Sequence, residues 1–179
     1  MSHVVIAPVT LAPELVRGWT GEEDALHDAA THVGHYLAEA LQEMGVEVTT
    51  AHDSAEILAG LPRSADYHRD ASLLAREAVA RFAADSLLLV ELTHWALREM
   101  QSDSIKGASV GFRATLHGGV EGRMLWSGEL NEHQESILQN RWRSLLYPGR
   151  GLRWLRVNEL ARWGSRRMSR EIAASSVHR

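Results

Sequence analysis

Cysteine is absent from this sequence of 179 residues, which excludes both a disulfide framework and a metal site made of thiolates. No apolar run approaches the roughly 20 residues that a membrane-spanning helix needs. The sequence also does not open on a charged-then-apolar export signal, because Met1, Ser2 and His3 lead straight into an apolar run. Two expectations follow: a cytoplasmic protein, or an exported one whose signal segment is not part of this sequence.

Lysine is nearly absent, since Lys106 is the only one and arginine supplies the remaining positive charges. The charges are unevenly spread along the chain. Residues 1–140 hold nine basic and twenty-one acidic side chains, whereas residues 141–179 hold ten arginines against Glu159 and Glu171. This asymmetry indicates either an anionic partner for the basic end or a basic end that folds back on its own acidic body. The sequence leaves both interpretations open.

The apolar pattern is typical of an α/β protein in which helices join the first strands. Short runs of apolar and β-branched residues predict strands at residues 3–9, 46–51 and 86–92. Apolar stripes at helical spacing predict helices at residues 26–44, 53–61 and 67–82. Strands joined by helices in this way are parallel. We expect residues 86–92 to form a central strand, because their apolar run is continuous. Residues 10–21 predict a loop.

The second half of the sequence predicts an antiparallel hairpin and a closing helix. Residues 105–117 alternate between apolar and polar, Gly118 and Gly119 are typical of a turn, and residues 120–130 return with Met124, Trp126 and Leu130 on one face. An amphipathic helix follows at residues 156–174, and its inner face includes Gly164 and Met168.

These elements predict an α/β (α+β) fold: a mixed β-sheet of about five strands in the order β-α-β-(α)-α-β-β-β-α, with helices packed on the sheet. We expect a single domain over residues 1–179. Residues 3–130 would form its core, and residues 131–179 an Arg/Trp-rich C-terminal extension that contains the final helix.

Three short motifs resemble a known fold family. They are VVIAP at residues 4–8, AEALQEMGV at residues 38–46 and GRMLWS at residues 122–127. With the element order, they resemble the TolB N-terminal domain and the periplasmic lipoproteins that activate penicillin-binding proteins or assist envelope assembly. The sequence departs from that pattern where Gly118 and Gly119 replace an aspartate before the return strand. It also lacks the lipid-bearing cysteine, and its Arg/Trp-rich end has no counterpart in the family.

The resemblance implies a non-enzymatic protein of the bacterial envelope that binds other proteins or cell-wall material, and it transfers no specific functional residue. The implied location is periplasmic or associated with the outer membrane. The alternative is a cytoplasmic regulatory module that shares the fold. The envelope interpretation involves neither a cofactor nor a catalytic residue.

The predicted contact surface lies at the basic end of the chain. Arginines gather on the side of the last helix opposite its apolar stripe, and two tryptophans accompany them; the residues are Trp154, Arg162, Trp163, Arg166, Arg167 and Arg170. Arginine with tryptophan binds anionic polymers, lipid headgroups or acidic protein surfaces. We therefore expect an envelope protein or an anionic cell-wall or lipid surface as partner. Nucleic acid is disfavoured, because the acidic remainder of the chain repels phosphate.

Two sets of residues invite a chemical interpretation. Asp28, His32 and His35 share one face of the first long helix, so a metal-binding module or metal-dependent enzyme is the alternative function. Residues 107–111, GASVG, match the G-x-S-x-G pattern around a nucleophilic serine. That pattern requires a sharp turn into a helix, whereas the alternation here continues as a strand. We therefore assign no catalytic role to Ser109.

Overall fold

The computed structural model describes residues 2–50, 70–97, 99–101, 104–118, 121–134 and 155–177. Its elements in chain order are β1 (His3–Ile6), β2 (Thr10–Leu11), α1 (Pro13–Gly18), α2 (Glu23–Gln42), β3 (Glu47–Thr49), α3 (Ala71–Phe82), β4 (Ser86–Ala96), β5 (Glu99–Gln101), β6 (Ser104–Lys106), β7 (Ser109–Gly118), β8 (Arg123–His133) and α4 (Val157–Val177). The helix predicted at residues 53–61 lies outside the described residues.

One mixed sheet organises the described part of the chain, and the predicted fold class is confirmed. Its strands follow the order β3-β1-β4-β7-β8, with the short β2 beside β4. β1 is parallel to both β3 and β4, whereas β7 is antiparallel to β4 and β8 is antiparallel to β7. β4 is central, and residues 86–92 are buried throughout, as their continuous apolar run predicted. No helix in these described ranges is long and apolar enough to cross a membrane.

The loop predicted at residues 10–21 is wrong, because this stretch contains β2 and α1. Thr10 and Leu11 pair in parallel with Glu91 and Leu92, partners some eighty residues away in sequence. A strand of two residues carries no periodicity, so its sequence could not reveal it. Pro13 begins α1, where a proline ring fits because the first helical N–H groups lack partners anyway.

The predicted placement of Met124 beside Trp126 and Leu130 is also wrong. The register of β7 and β8 shifts at one point: Leu116 pairs with Trp126, but His117 pairs with Met124. This irregularity inserts one extra residue, Leu125, and moves the strand beyond it onto the opposite face. Met124 is consequently 55% exposed, whereas Leu130 stays buried.

The two faces of the sheet pack against different helices. The larger core joins α2 and α4 to the face that carries Val4, Ile6, Leu88 and Phe112. The smaller core joins α3 to Val5, Ala7, Leu87 and Leu89, the residues that alternate with them. The inner face predicted for the last helix is confirmed, since Val157, Leu160, Ala161, Gly164, Met168 and Ile172 are all buried.

The start of the chain is held to the start of β4 by one carboxylate. An Asp85 side-chain oxygen accepts hydrogen bonds from the hydroxyl of Ser2 at 2.7 Å and from the backbone N–H groups of Ser2 and His3, the latter at 3.0 Å. The Ser2 backbone bond comes first among the contacts that lower the pKa of Asp85 to about 2. These bonds help to fix β1 in register with its neighbours.

We expect part of the stability to be lost as the pH falls from about 4 to about 2. The folded state lowers the pKa of Asp85 from 3.8 to about 2, so across this interval the unfolded chain binds more protons and folding weakens. Asp85 is mostly exposed, so we expect less than about 1 kcal/mol. The free energy of unfolding in urea, measured for the parent and for Asp85→Asn, should differ at pH 5 and converge near pH 2. Asp28→Asn is the matched control and should track the parent, and a constant difference for Asp85→Asn would contradict the assignment.

Candidate binding surface

The outer side of α4 carries a row of exposed arginines, here called the arginine face and defined as Arg162, Trp163, Arg166, Arg167 and Arg170. The row lies against acidic side chains of the chain's own body. Arg162 contacts Glu39 of α2 at 2.9 Å between guanidinium nitrogen and carboxylate oxygen. Arg166 contacts Glu43, just beyond α2, also at 2.9 Å. The helix α4, which is the described part of the basic end, therefore does fold back on the acidic body.

Aromatic rings reinforce these contacts. The guanidinium carbon of Arg162 lies 5.0 Å from the centre of the Tyr36 ring, within the range of a cation–π contact. Arg167 lies 5.9 Å from the Trp163 ring and 3.5 Å from a carboxylate oxygen of Glu132 on β8. The contacts of the arginine face thus reach from α4 to α2 and to β8.

These contacts do not remove the arginines from solvent. The side chains of Arg162 and Arg166 remain 46% exposed and that of Arg167 56% exposed, and Arg170 is exposed as well. Ion pairs this exposed stabilise the fold by about 0–1 kcal/mol each. The charged groups of a partner can therefore replace the carboxylates at little cost in free energy. Trp154, the remaining member of the predicted surface, lies outside the described residues.

Sequence reasoning found the arginines but missed their acidic partners. Glu39 and Glu43 are four residues apart, as are Arg162 and Arg166, and residues four apart share one face of a helix. When two helices lie side by side, acidic residues four apart on one helix can pair with basic residues four apart on the other. That correspondence is present in the sequence, but it becomes informative only once α2 and α4 are known to be neighbours.

The predicted metal ligands do not converge. Nδ1 of His32 lies 2.7 Å from the backbone oxygen of Asp28, while Nε2 of His35 lies 3.1 Å from a carboxylate oxygen of Glu39. In the part of the chain that the structure describes, no three His, Cys, Asp or Glu side chains gather closely enough to hold a metal ion. The geometry therefore gives the metal alternative no support.

Ser109 lies within a strand, as the alternation predicted. It begins β7, which runs on to Gly118 without the turn and helix that a presented nucleophile needs. Its hydroxyl lies 2.6 Å from Nε2 of His94 on the neighbouring strand, and the residue is only 3% exposed. The contact joins two strands rather than presenting an oxygen to a substrate.

A buried carboxylate on the sheet is a second feature that the sequence did not reveal. Glu91 of β4 lies opposite Arg113 of β7, and its side chain is 6% exposed. The two side chains are hydrogen-bonded, and the Glu91 carboxylate raises the pKa of Arg113 above its usual value. A buried carboxylate paired in this way indicates a structural role, since the charge is satisfied within the sheet.

Two clefts open at the carboxyl ends of the parallel strands. A cleft of about 380 Å³ lies between the end of β1 and α2, with His27 and His35 at its rim. A larger cleft of about 610 Å³ lies between the end of β4 and the segment from Glu14 to Gly21. In open α/β sheets this edge is the usual position of binding sites.

The sheet order, with helices on both faces, defines a class of fold rather than an activity. The resemblance of fold that the sequence motifs predicted is confirmed. No family model matches the chain, and no curated protein matches it in sequence. Several solved structures are nevertheless similar to this chain.

Lipoprotein GNA1162 from Neisseria meningitidis is similar at 20% identity and a TM-score of 0.52, over 82% of this chain and 95% of that one. Protein XCC0632 from Xanthomonas campestris is similar at 12% identity and a TM-score of 0.51, over 99% of this chain and 87% of that one. The LpoB C-terminal domain from Salmonella enterica has 11% identity and a TM-score of 0.44, over 74% of this chain and 83% of that one. The first two likenesses establish the fold.

Proposed function

We propose that this chain is a non-enzymatic binding or scaffolding protein of the bacterial envelope, periplasmic or associated with the outer membrane, and that the arginine face is its contact surface. One observation carries the proposal: four exposed arginines share one side of α4, with the half-buried Trp163 among them. The lipoprotein among the similar structures supports the envelope location. Arginine and tryptophan are also the residues most often found to dominate the binding energy of interfaces.

The charges of the arginine face favour a protein partner over an anionic polymer or lipid. Three of its arginines already lie beside carboxylates, namely Glu39, Glu43 and Glu132. Anionic surfaces are attracted by a field of one sign, and these carboxylates cancel much of that field. A protein surface that carries both charges can match the alternating pattern, which gives specificity through complementary pairs.

Capture of a partner tests the proposal. The tagged domain would be used to capture proteins from an envelope extract, and binding would be repeated with the purified partner. We expect Arg166→Ser combined with Arg170→Ser to weaken binding by about tenfold or more, because both side chains are exposed members of the arginine face. Arg76→Ser combined with Arg123→Ser removes two exposed arginines elsewhere and is the matched control.

The result that would contradict the surface assignment is equal binding by the parent and the Arg166/Arg170 variant, with both folded by circular dichroism. Vesicles of phosphatidylglycerol and of phosphatidylcholine provide the second comparison. If the domain binds the anionic vesicles through the same arginines and captures no protein, the partner is a lipid surface, and the preference for protein is wrong.

A further inference from the structure

In the described residues, the last part of β4 is paired with a neighbouring strand on one side only. β2 pairs with β4 at Glu91 and Leu92, and the bond from the Ala12 N–H to the Leu92 carbonyl, at 2.9 Å, closes that ladder. On the opposite side, β7 stays paired with β4 as far as Ala96. Among the described residues, no strand lies along the β2 side of residues 93–97. Within those residues, about 13 Å of strand edge has no neighbouring strand on this side.

The larger cleft runs along this open edge. Residues 93–97 form one wall, and the opposite wall is formed by Glu14, Leu15, Gly18, Trp19, Thr20 and Gly21. Its volume of about 610 Å³ lies in the range of about 300–1,000 Å³ that is usual for ligand pockets. The cleft therefore has room for a short stretch of extended chain beside β4.

The wall opposite β4 is already ordered around Trp19. The indole N–H donates a hydrogen bond to the Glu22 carbonyl at 2.9 Å. The ring lies against Gly21, where an added Cβ would come within 2.8 Å of it. A flat aromatic wall held in this way loses little entropy when a ligand arrives.

The exposed side chains at the cleft indicate what it would receive. Leu97 is 61% exposed and offers an apolar contact. Glu14 is 72% exposed, and its contact with Arg17, at 3.6 Å, is weak enough for another cation to replace. Glu23 and Asp24, in the first turn of α2 shortly after Gly21, add further negative charge. These groups complement a ligand that carries both apolar and basic side chains.

We propose that the cleft binds an extended segment of another protein as an added strand beside residues 93–97, with apolar side chains alternating with arginine or lysine. Backbone hydrogen bonds to the open edge would supply the affinity, and Trp19, Leu97 and Glu14 would select the side chains. No member of the arginine face lines this cleft. The inference therefore goes beyond the proposed function, and either can fail while the other holds.

A defined peptide tests the backbone pairing. The probe is a fluorescein-labelled peptide of roughly ten residues in which valine alternates with arginine, a length that more than spans the open edge. Two matched peptides replace the arginines with glutamate or carry N-methyl groups on alternate residues, in both registers. We expect saturable binding of the valine–arginine peptide, about tenfold weaker binding of the glutamate peptide, and loss of binding for one N-methylated register.

Substitutions in the cleft complete the test. A Cβ at Gly18 would meet no atom within 4 Å, so Gly18→Trp should fill the cleft without disturbing the fold and weaken binding by about tenfold. Glu14→Lys should move the preference toward the glutamate peptide. Met124→Trp introduces the same indole ring at an exposed position outside the cleft lining and is the control.

Three outcomes would overturn the inference. The first is equal binding by Gly18→Trp and the parent, and the second is equal binding of both N-methylated peptides and the unmodified one. The third is self-association of the parent, in sedimentation, that Gly18→Trp abolishes, since the occupant would then be a second copy of this chain.

Discussion

Gly122→Ala is expected to destabilise the fold by about 2–5 kcal/mol, because the alanine meets two separate penalties. Gly122 adopts a φ of +65°, a left-handed conformation that disfavours any side chain with a Cβ. A Cβ at this position would also lie 2.1 Å from the backbone oxygen of Ser72, in the first turn of α3. Gly122 therefore lies directly against the backbone of α3, and a backbone atom cannot rotate away as a side chain can.

Gly45 offers the matched control for this prediction. It has a φ of +79°, but an added Cβ there would meet no atom within 4 Å. Gly45→Ala should therefore cost about 1–2 kcal/mol, the conformational penalty alone. Asparagine tolerates the left-handed region, so Gly45→Asn should be nearly neutral while Gly122→Asn stays destabilising. Urea unfolding of the four variants measures the differences, and equal losses at the two glycines would show that the contact with Ser72 is unimportant.

The contrast between these glycines shows which features a sequence reveals. Gly45 directly follows the helix predicted at residues 26–44, and the structure closes α2 there, since the Val46 N–H donates to the Leu41 carbonyl at 3.1 Å. The sequence around Gly122 predicted a hairpin but not its contact with α3. The first feature depends on neighbours along the chain, whereas the second depends on a helix some fifty residues earlier.

The distinction between neighbours along the chain and neighbours in space also explains which sequence predictions were wrong. β2 exists because Thr10 and Leu11 pair with β4, and the exposure of Met124 results from a register shift, so neither feature leaves a local pattern. The burial of Glu91 beside Arg113 likewise depends on strand pairing. In contrast, the apolar face of α4 was predicted correctly because helical periodicity is local.

The candidate binding surface likewise has one part that local sequence predicts and one part that depends on distant neighbours. Residue type and helical spacing predicted the arginine face, since Arg162 and Arg166 are one turn apart on an amphipathic helix. The partners Glu39 and Glu43 could be assigned only after α2 and α4 were placed together. The open edge beside residues 93–97 was not predictable, because it is defined by where β2 ends.

We expect Gly164→Val to lower the free energy of unfolding by about 3 kcal/mol, near the upper end for an overpacked core. A Cβ at Gly164 of α4 would lie 2.1 Å from a methyl carbon of Leu130 on β8. Leu130 is 4% exposed and belongs to the larger core, so its neighbours limit how far the methyl group can move. The glycine thus allows α4 to approach the sheet closely.

Removing the obstructing side chain should relieve the substitution. Leu130→Ala alone should cost about 2–5 kcal/mol by leaving a cavity. Combined with Gly164→Val, it should cost less than the sum of the two, by about 1–3 kcal/mol of favourable coupling. Chemical denaturation followed by tryptophan fluorescence and by circular dichroism measures all four proteins. If the two losses add without coupling, α4 does not depend on Leu130 for its position. If the two probes report separate transitions, α4 and the sheet do not unfold as one cooperative unit, and the single domain predicted for this chain is wrong.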